Sequence, residues 1–312
     1  MQERRRGPRA TAVAILLTTL SATNIPGIFH QNLCDHGAME NYICATCGVE
    51  FTESEAPPAG CPICQDERQY VGWDGQKWTT RAEMRAAGYA IEMREEEPAL
   101  TGIGITPRFS IGQRALLVRT DHGNVLYDCV SYLDDETVSR VESLGGIQAI
   151  CLSHPHFYDS MVTWSHAFGR APIYVPVDDR SFVMRPDPVV RYWDGEPLEL
   201  VPGGTLIKCG GHFPGSAVVH WAGGADGRGA LLVGDTITVV MDRTKASFMT
   251  SYPNLIPMSA ASVRRIVCAV EPYPFDRIYG GWWGRNILSG AKEAVQESAE
   301  RYIRHIERTR DV

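Results

Sequence analysis

Two histidines separated by one residue follow a short apolar segment near the middle of the chain. The segment, residues 147–152, has the composition of a buried strand, and His154 and His156 lie in the loop that follows it. Neutral imidazoles are common metal ligands, and a His-x-His sequence on one rigid turn can place two nitrogens on the same ion. The pair therefore predicts a metal site at the end of a buried strand.

Two later segments carry further candidate ligands, again at the edges of apolar runs. His212 lies in the glycine-rich sequence 210–216, and Asp235 follows the predicted strand 229–234. Three histidines and an aspartate at strand ends predict a hydrolytic metal centre. A single histidine such as His166 is more typical of a packing or surface position.

Four of the nine cysteines form two Cys-x-x-Cys pairs. Four thiolates match tetrahedral zinc, and a unit this short cannot fold on apolar burial alone. Residues 39–70 are therefore predicted to form a metal-binding unit with the ligands Cys44, Cys47, Cys61 and Cys64. The spacing leaves zinc and iron open. The other cysteines are typical of buried thiols, which favours a reducing cytoplasm.

Composition restricts the class of partner. With 312 residues, of which 44% are hydrophobic, the chain can bury a large core. Its net charge of −7 gives no electrostatic reason to expect a nucleic acid. The apolar stretch 12–20 is too short to span a bilayer. We expect a cytoplasmic protein that acts on a small-molecule substrate without nucleic-acid or membrane partners, and the sequence does not define an oligomeric state.

Four regions follow one another along the chain. Residues 1–38 combine an arginine cluster with an apolar stretch that loosely resembles a signal peptide, and we interpret them as a disordered leader or as a start site placed too early. Residues 71–99 are interpreted as a linker that contains a helix over 81–93 and a solvated acidic run at 95–97. The main domain, residues 100–312, has strand-like runs and three predicted helices, at 134–144, 262–270 and 291–308.

Over about residues 100–310, the order and spacing of these motifs resemble the metallo-β-lactamase fold family. Its members carry a His-x-His-x-Asp-His loop, a later Gly-His-x-x-Gly, a Gly-Asp after a strand and a final histidine. The resemblance implies the α/β class, as a four-layer αββα sandwich, with His154, His156 and His212 as ligands and Asp235 as the carboxylate that bridges two metals in the family. The cysteine unit in front of it resembles a rubredoxin-type zinc ribbon.

The sequence departs from the family pattern at two places. Tyr158 and Asp159 stand where the family has aspartate and histidine, and residues 280–284 (Gly-Gly-Trp-Trp-Gly) follow the last predicted strand where the final histidine is expected. Asp159 is then either a metal ligand or a hydrogen-bond acceptor for a ligand histidine. Because most of the second ligand set is altered, we expect a single-metal site.

The predicted activity is hydrolysis, in which a metal-bound hydroxide attacks an ester, thioester, amide or lactone. Asp235 would ligate the metal or orient the nucleophile, and Tyr158 or Asp159 would pass a proton to the leaving group. The expected cofactors are one structural zinc in the cysteine unit and one zinc at the histidines, with iron as the alternative. Two other functions stay open: a catalytically weak binding or scaffold protein with this fold, and an iron-binding redox protein.

Overall fold

The structure, a computed structural model, describes residues 39–307. A small module that carries the four paired cysteines comes first in this range. The predicted leader, residues 1–38, lies outside the described residues. The module's elements are β1 (Ile43–Cys44), α1 (Pro62–Gln65), β2 (Trp78–Thr79) and α2 (Arg81–Ala86). Strands β1 and β2 pair antiparallel, and the domain boundaries at 70 and 99 stay predictions.

The first large sheet has seven strands. In sequence order they are β3 (Ala90–Glu97), β4 (Leu100–Thr106), β5 (Arg114–Val118), β6 (Val125–Tyr127), β7 (Ala149–Cys151), β8 (Ile173–Pro176) and β9 (Val190–Trp193). Their order across the sheet is the same. Strands β3 to β6 pair antiparallel, and β6 to β9 pair parallel. Strand β7 is the predicted strand that ends before the histidine pair.

The second large sheet has six strands. In order across the sheet they are β10 (Leu198–Val201), β11 (Gly204–Lys208), β12 (Ala217–Trp221), β13 (Ala230–Leu232), β18 (Arg277–Tyr279) and β19 (Asn286–Ile287). Two short pairs lie between β13 and β18 in sequence: β14 (Thr238–Val239) with β15 (Ala246–Ser247), and β16 (Met249–Ser251) with β17 (Ile256–Pro257).

Helices cover the outer faces of the two sheets. The remaining α-helices are α3 (Asp135–Ser143), α4 (Met161–Ala167), α5 (Gly224–Gly227), α6 (Ala260–Val270) and α7 (Ala291–Glu307), and short 3-10 helices span Pro155–Phe157 and Val177–Phe182. Helices α3 and α4 share a buried cluster with the first sheet, and α6 and α7 share one with the second. A third cluster joins the two sheets. This confirms the predicted αββα sandwich.

The segment 81–99 differs from the prediction. The helix ends at Ala86, and residues 90–97 form an edge strand that pairs with β4. Strand pairing overrides helix propensity here because the side chains of Ile91 and Met93, two residues apart, both pack against the buried cluster beneath the first sheet. Glu97, expected in solvent, is buried and accepts hydrogen bonds from Tyr279 Oη (2.8 Å) and the Ala225 backbone N–H (3.0 Å).

Among the helices within residues 39–307, none has both the length and the apolar character that crossing a membrane requires.

Candidate metal centres

Four predicted ligands converge at the ends of strands from both sheets. His154 and His156 leave β7, His212 lies between β11 and β12, and Asp235 follows β13. One nitrogen or oxygen from each side chain lies within 4.8 Å of the others. All four residues are buried, with an exposed fraction of 4% or less. The fold thus brings together residues that are up to 81 positions apart in the chain.

Hydrogen bonds hold the imidazoles in orientations that suit a metal ion. The Met249 carbonyl lies 3.1 Å from His212 Nδ1 and can only accept, so Nδ1 carries the proton and Nε2 offers a lone pair. Ser153 Oγ lies 2.9 Å from His154 Nδ1. The buried Nε2 atoms of His154 and His156 have no hydrogen-bond partner among the described residues. Such atoms are costly to bury. The atoms that converge are His154 Nε2, His212 Nε2 and Asp235 Oδ2, with His156 Nδ1 at 3.4 Å from His212 Nε2, so an ion among them would satisfy His154 Nε2.

Burial sets the protonation of this group. It lowers the pKa of His154 to about 3 and the pKa of His212 to about 4, and it lowers the pKa of His156 well below the ordinary value. Burial also raises the pKa of Asp235 to about 6. At neutral pH the group therefore holds three neutral imidazoles and a carboxylate, which is the form that binds zinc. The donor set fits a single divalent ion.

Aromatic side chains enclose the group, which we call the His/Asp site. The Phe213 ring centre lies 5.0 to 5.7 Å from all three imidazoles, and Phe157 lies 4.9 Å from His154. Tyr252 Oη donates to the Asp235 carbonyl at 3.3 Å. An apolar shell of this kind keeps water out and strengthens electrostatic interactions inside.

The other two predicted site residues lie outside this group of four. Tyr158 is buried in the core beneath the first sheet. The Asp159 carboxylate accepts hydrogen bonds from Ser131 Oγ (2.5 Å) and from Gln113 Nε2 (2.9 and 3.0 Å) and faces Gly48 of the cysteine module. The structure therefore does not bring Asp159 to the histidines, and the catalytic parts given to Tyr158 and Asp159 stay predictions.

Aromatic packing occupies the loop where the family's final histidine is expected. The Cα of Gly281 contacts Phe157 so closely that an added Cβ would lie 2.5 Å from its ring. Trp282 lies 5.5 Å from Phe157 between ring centres and donates to the Ile111 carbonyl at 3.1 Å. Trp283 covers Gly102 and Gly104 of β4. This loop adds no ligand to the four of the His/Asp site.

The four cysteines of the N-terminal module form a second candidate centre, the cysteine cluster. Cys44 Sγ lies 3.5 Å from Cys64 Sγ, and Cys47 Sγ lies 3.7 Å from Cys61 Sγ. These separations are far longer than the about 2 Å of a disulfide bond and suit four thiolates around one ion. Gln76 Nε2 also donates to Cys44 Sγ at 3.1 Å. The structure thus groups the predicted four ligands, and the cluster could hold a metal ion.

The sequence interpretation missed Arg68, which joins the module to the His/Asp site. Arg68 Nε donates to the His212 carbonyl at 2.7 Å, and its guanidinium carbon lies 4.6 Å from the Phe213 ring centre. Asp66 holds the other side of the guanidinium at 2.7 Å. No local pattern in the sequence marks this contact, because its partners are 144 residues apart.

Comparisons with known proteins agree with this architecture. No family model matches the chain. The solved structures that align with it include VMB-1, with a TM-score of 0.52 and 12% identity over 69% of this chain and 98% of that one, and TMB-1, with a TM-score of 0.51 and 14% identity over 68% of this chain and 98% of that one. Identities this low show the fold alone. The chain has the metallo-β-lactamase fold, preceded by a four-cysteine cluster.

A relative of much higher identity defines the family. The chain is 48% identical over 267 residues to the uncharacterized protein YmaE of Bacillus subtilis (strain 168). The aligned region covers 85% of this chain and 97% of YmaE. The chain belongs to the YmaE family.

Proposed function

We propose that this protein is a metal-dependent hydrolase with one divalent ion, zinc, at the His/Asp site. The observation that supports this proposal is the convergence of four buried ligand atoms within 4.8 Å, with the Nε2 atom of His154 left without another partner. The proposed substrate is a small molecule with an ester, thioester, amide or lactone group. When bound, a divalent ion supplies Lewis acidity and lowers the pKa of a coordinated water to about 7.

The chain's own residues prepare the site for this chemistry. The Met249 carbonyl holds the proton of His212 on Nδ1, so Nε2, which lies 3.4 Å from His156 Nδ1, carries a lone pair. Asp235 Oδ2 lies 3.5 Å from His154 Nε2 and 3.8 Å from His212 Nε2, so it can bind the same ion or hold a proton. Thr238 Oγ1 donates to Asp235 Oδ1 at 3.4 Å and restricts the carboxylate.

The His/Asp site is closed off from solvent. The four ligands are 4% exposed or less. A groove of about 670 Å³ lies elsewhere, lined by Glu50, Arg81, Thr163 and Arg185 among others but by none of the ligands. A substrate would therefore reach the His/Asp site only when a covering segment moves.

Burial also favours a second candidate, a catalytically weak binding or scaffold protein. In a protein that kept the fold but lost catalysis, we would expect metal ligands that are buried from solvent and an Asp159 that contacts the cysteine module instead of the histidines. We further propose a structural zinc in the cysteine cluster, with iron and a redox function as the alternative. The eight cysteines within residues 39–307 are all unpaired, which supports a proposed cytoplasmic location.

Metal content and turnover, measured together, test the proposed function. Elemental mass spectrometry should find two zinc ions per chain in the wild type and one in the His154→Ala/His156→Ala variant. The wild type should hydrolyse at least one member of an ester and thioester panel, and the variant none. One ion in both proteins would contradict the hydrolase. Two ions without turnover would favour the scaffold protein, and iron in place of zinc would favour the redox protein.

A further inference from the structure

The cysteine cluster and the His/Asp site are joined by two contacts, one from each cysteine pair. We propose that Asp159 and Arg68 are positioning residues through which an ion in the cysteine cluster raises the affinity of the His/Asp site for its own ion. This inference rests on the proposed function to the extent that the His/Asp site must bind a divalent ion. Neither residue needs to touch the substrate.

The first contact joins the first cysteine pair to the loop of His154 and His156. Gly48 follows Cys47 with a φ of +92°, and an added Cβ there would lie 2.3 Å from Asp159 Oδ1. Gln113 Nε2 bridges the two sides, because it donates to both Asp159 oxygens (2.9 and 3.0 Å) and to the Cys47 carbonyl (3.3 Å). Asp159 lies only three residues after the second histidine of the loop. The position of this loop is thereby tied to the first cysteine pair.

The second contact joins the second cysteine pair to the loop of His212. Arg68 lies four residues after Cys64, and its Nε donates to the His212 carbonyl at 2.7 Å. Asp66 accepts from Arg68 Nη1 at 2.7 and 2.9 Å and fixes the plane of the guanidinium. The same guanidinium lies over Phe213, which packs on the imidazoles. The Arg68 side chain is only 19% exposed, so this contact is largely shielded from solvent.

The backbone around Arg68 also supports the strand that orients the His212 imidazole. Ser251 Oγ donates to the Arg68 carbonyl at 3.1 Å, and Asn254 Nδ2 donates to the carbonyls on either side, at 2.8 and 2.9 Å. Ser251 lies in β16, where the Met249 carbonyl accepts the proton of His212 Nδ1. The module therefore contacts the backbone of His212 through the Arg68 side chain, and it supports the His212 imidazole through β16.

An ion in the cysteine cluster would order both contacts together. A module with such short strands and helices depends on its metal for folding, so an empty cluster would release Gly48 and Arg68 from the two loops. Loss of an outer partner of a metal ligand typically weakens binding by about 10- to 100-fold. Linkage is reciprocal, so an ion at the His/Asp site must strengthen binding at the cluster by the same factor.

Zinc titration of the full chain against a chromophoric chelator tests the coupling. The His154→Ala/His156→Ala protein keeps only the cysteine cluster, so the binding event that it lacks is the one at the His/Asp site. Arg68→Ala and Asp159→Ala should each weaken the His/Asp site about tenfold or more. Arg264→Ala is the matched control, because it removes an exposed arginine of α6 that pairs with Glu307, and it should bind as the wild type does.

Arg68→Lys separates geometry from charge. Lysine keeps the positive charge but lacks the planar fork that spans Asp66 and the His212 carbonyl, so it should bind zinc as weakly as Arg68→Ala. Full recovery by lysine would assign the effect to charge and overturn the positioning role. Wild-type zinc affinity in Arg68→Ala and Asp159→Ala would also overturn it, and so would a lower unfolding temperature with unchanged affinity.

Reciprocity provides a check that does not depend on these variants. The cysteine cluster should bind zinc more weakly in the His154→Ala/His156→Ala protein, whose His/Asp site stays empty, than in the wild type with that site loaded. Equal cluster affinity in the two proteins would contradict the coupling. A wild type without a second zinc would overturn the proposed function and this inference together, whereas two zinc ions with uncoupled affinities would overturn this inference alone.

Discussion

At the scale of single residues, Asp159 lies in the loop of His154 and His156 but contacts the cysteine module instead of the histidines. The residue stands where the family pattern has a histidine, yet its carboxylate meets Ser131, Gln113 and the Cα of Gly48. It lies in a fully buried position, and burial raises the pKa of Asp159 to about 8. The side chain therefore links the stability of the protein to pH.

The raised pKa predicts a stability that falls with rising pH. The ordinary carboxyl pKa in an unfolded chain is about 3.9, so between that value and about 8 the folded protein keeps a proton that the unfolded chain has lost. The free energy of unfolding should then decrease with pH in this window, by at most about 1.4 kcal/mol per pH unit. Urea unfolding of the wild type and of Asp159→Asn, at several pH values between about 5 and about 8, measures this. Parallel pH profiles would contradict the prediction.

At the scale of elements, the loop between β18 and β19 adds no ligand to the four that the His/Asp site has within residues 39–307. Gly281 of this loop lies against Phe157 of the 3-10 helix that carries His156, and the two tryptophans of the loop pack on neighbouring strands and loops. The loop and the 3-10 helix fit closely because Gly281 has no side chain. Close packing of this kind has a measurable cost when it is disturbed.

Gly281→Ala should destabilise the protein by about 1–3 kcal/mol, because the new Cβ would collide with the Phe157 ring. Phe157→Leu makes room for the added methyl group, so the cost of Gly281→Ala should be smaller in that background. A double-mutant cycle by urea unfolding measures the difference. Additive effects of the two substitutions would show that the rings and the glycine do not compete for the same space.

At the scale of the whole molecule, the cysteine module and the sandwich share buried surface and hydrogen bonds. The cysteines belong to the same buried cluster as the first sheet and helices α3 and α4. Glu50 of the module forms an ion pair with Arg185 and accepts a hydrogen bond from Thr163 Oγ1 at 2.9 Å. The order of the module should therefore depend both on its metal and on the sandwich.

Metal removal should loosen the module before the rest of the fold. We expect a chelator to speed hydrogen exchange at amides of residues 43–69, because a structural metal in the cysteine cluster would hold the module folded. Exchange in α7 is the internal control and should change little, since this helix is held by apolar packing on the second sheet. Hydrogen exchange with mass spectrometry makes the measurement. Equal exchange in the module with and without chelator would contradict a structural metal there.

The sequence by itself determined several of the local elements and the types of residue that form the two candidate metal sites. An apolar run before a His-x-His pair, two Cys-x-x-Cys pairs and the periodicity of 262–270 and 291–308 are local patterns, and the structure contains β7, the cysteine cluster, α6 and α7 accordingly. Such patterns are readable because neighbouring residues set backbone conformation and ligand type.

Only the tertiary structure decided where Asp159 and Arg68 point, that residues 90–97 form a strand and that the ligands are closed off from solvent. Gln113 and Asp159 are 46 residues apart, and Arg68 and His212 are 144 apart. Contacts over such distances depend on how the sheets stack and which loops meet. The same holds for burial, which lowers the pKa of His154 and raises the pKa of Asp159, because a side chain loses its water only when distant segments pack around it.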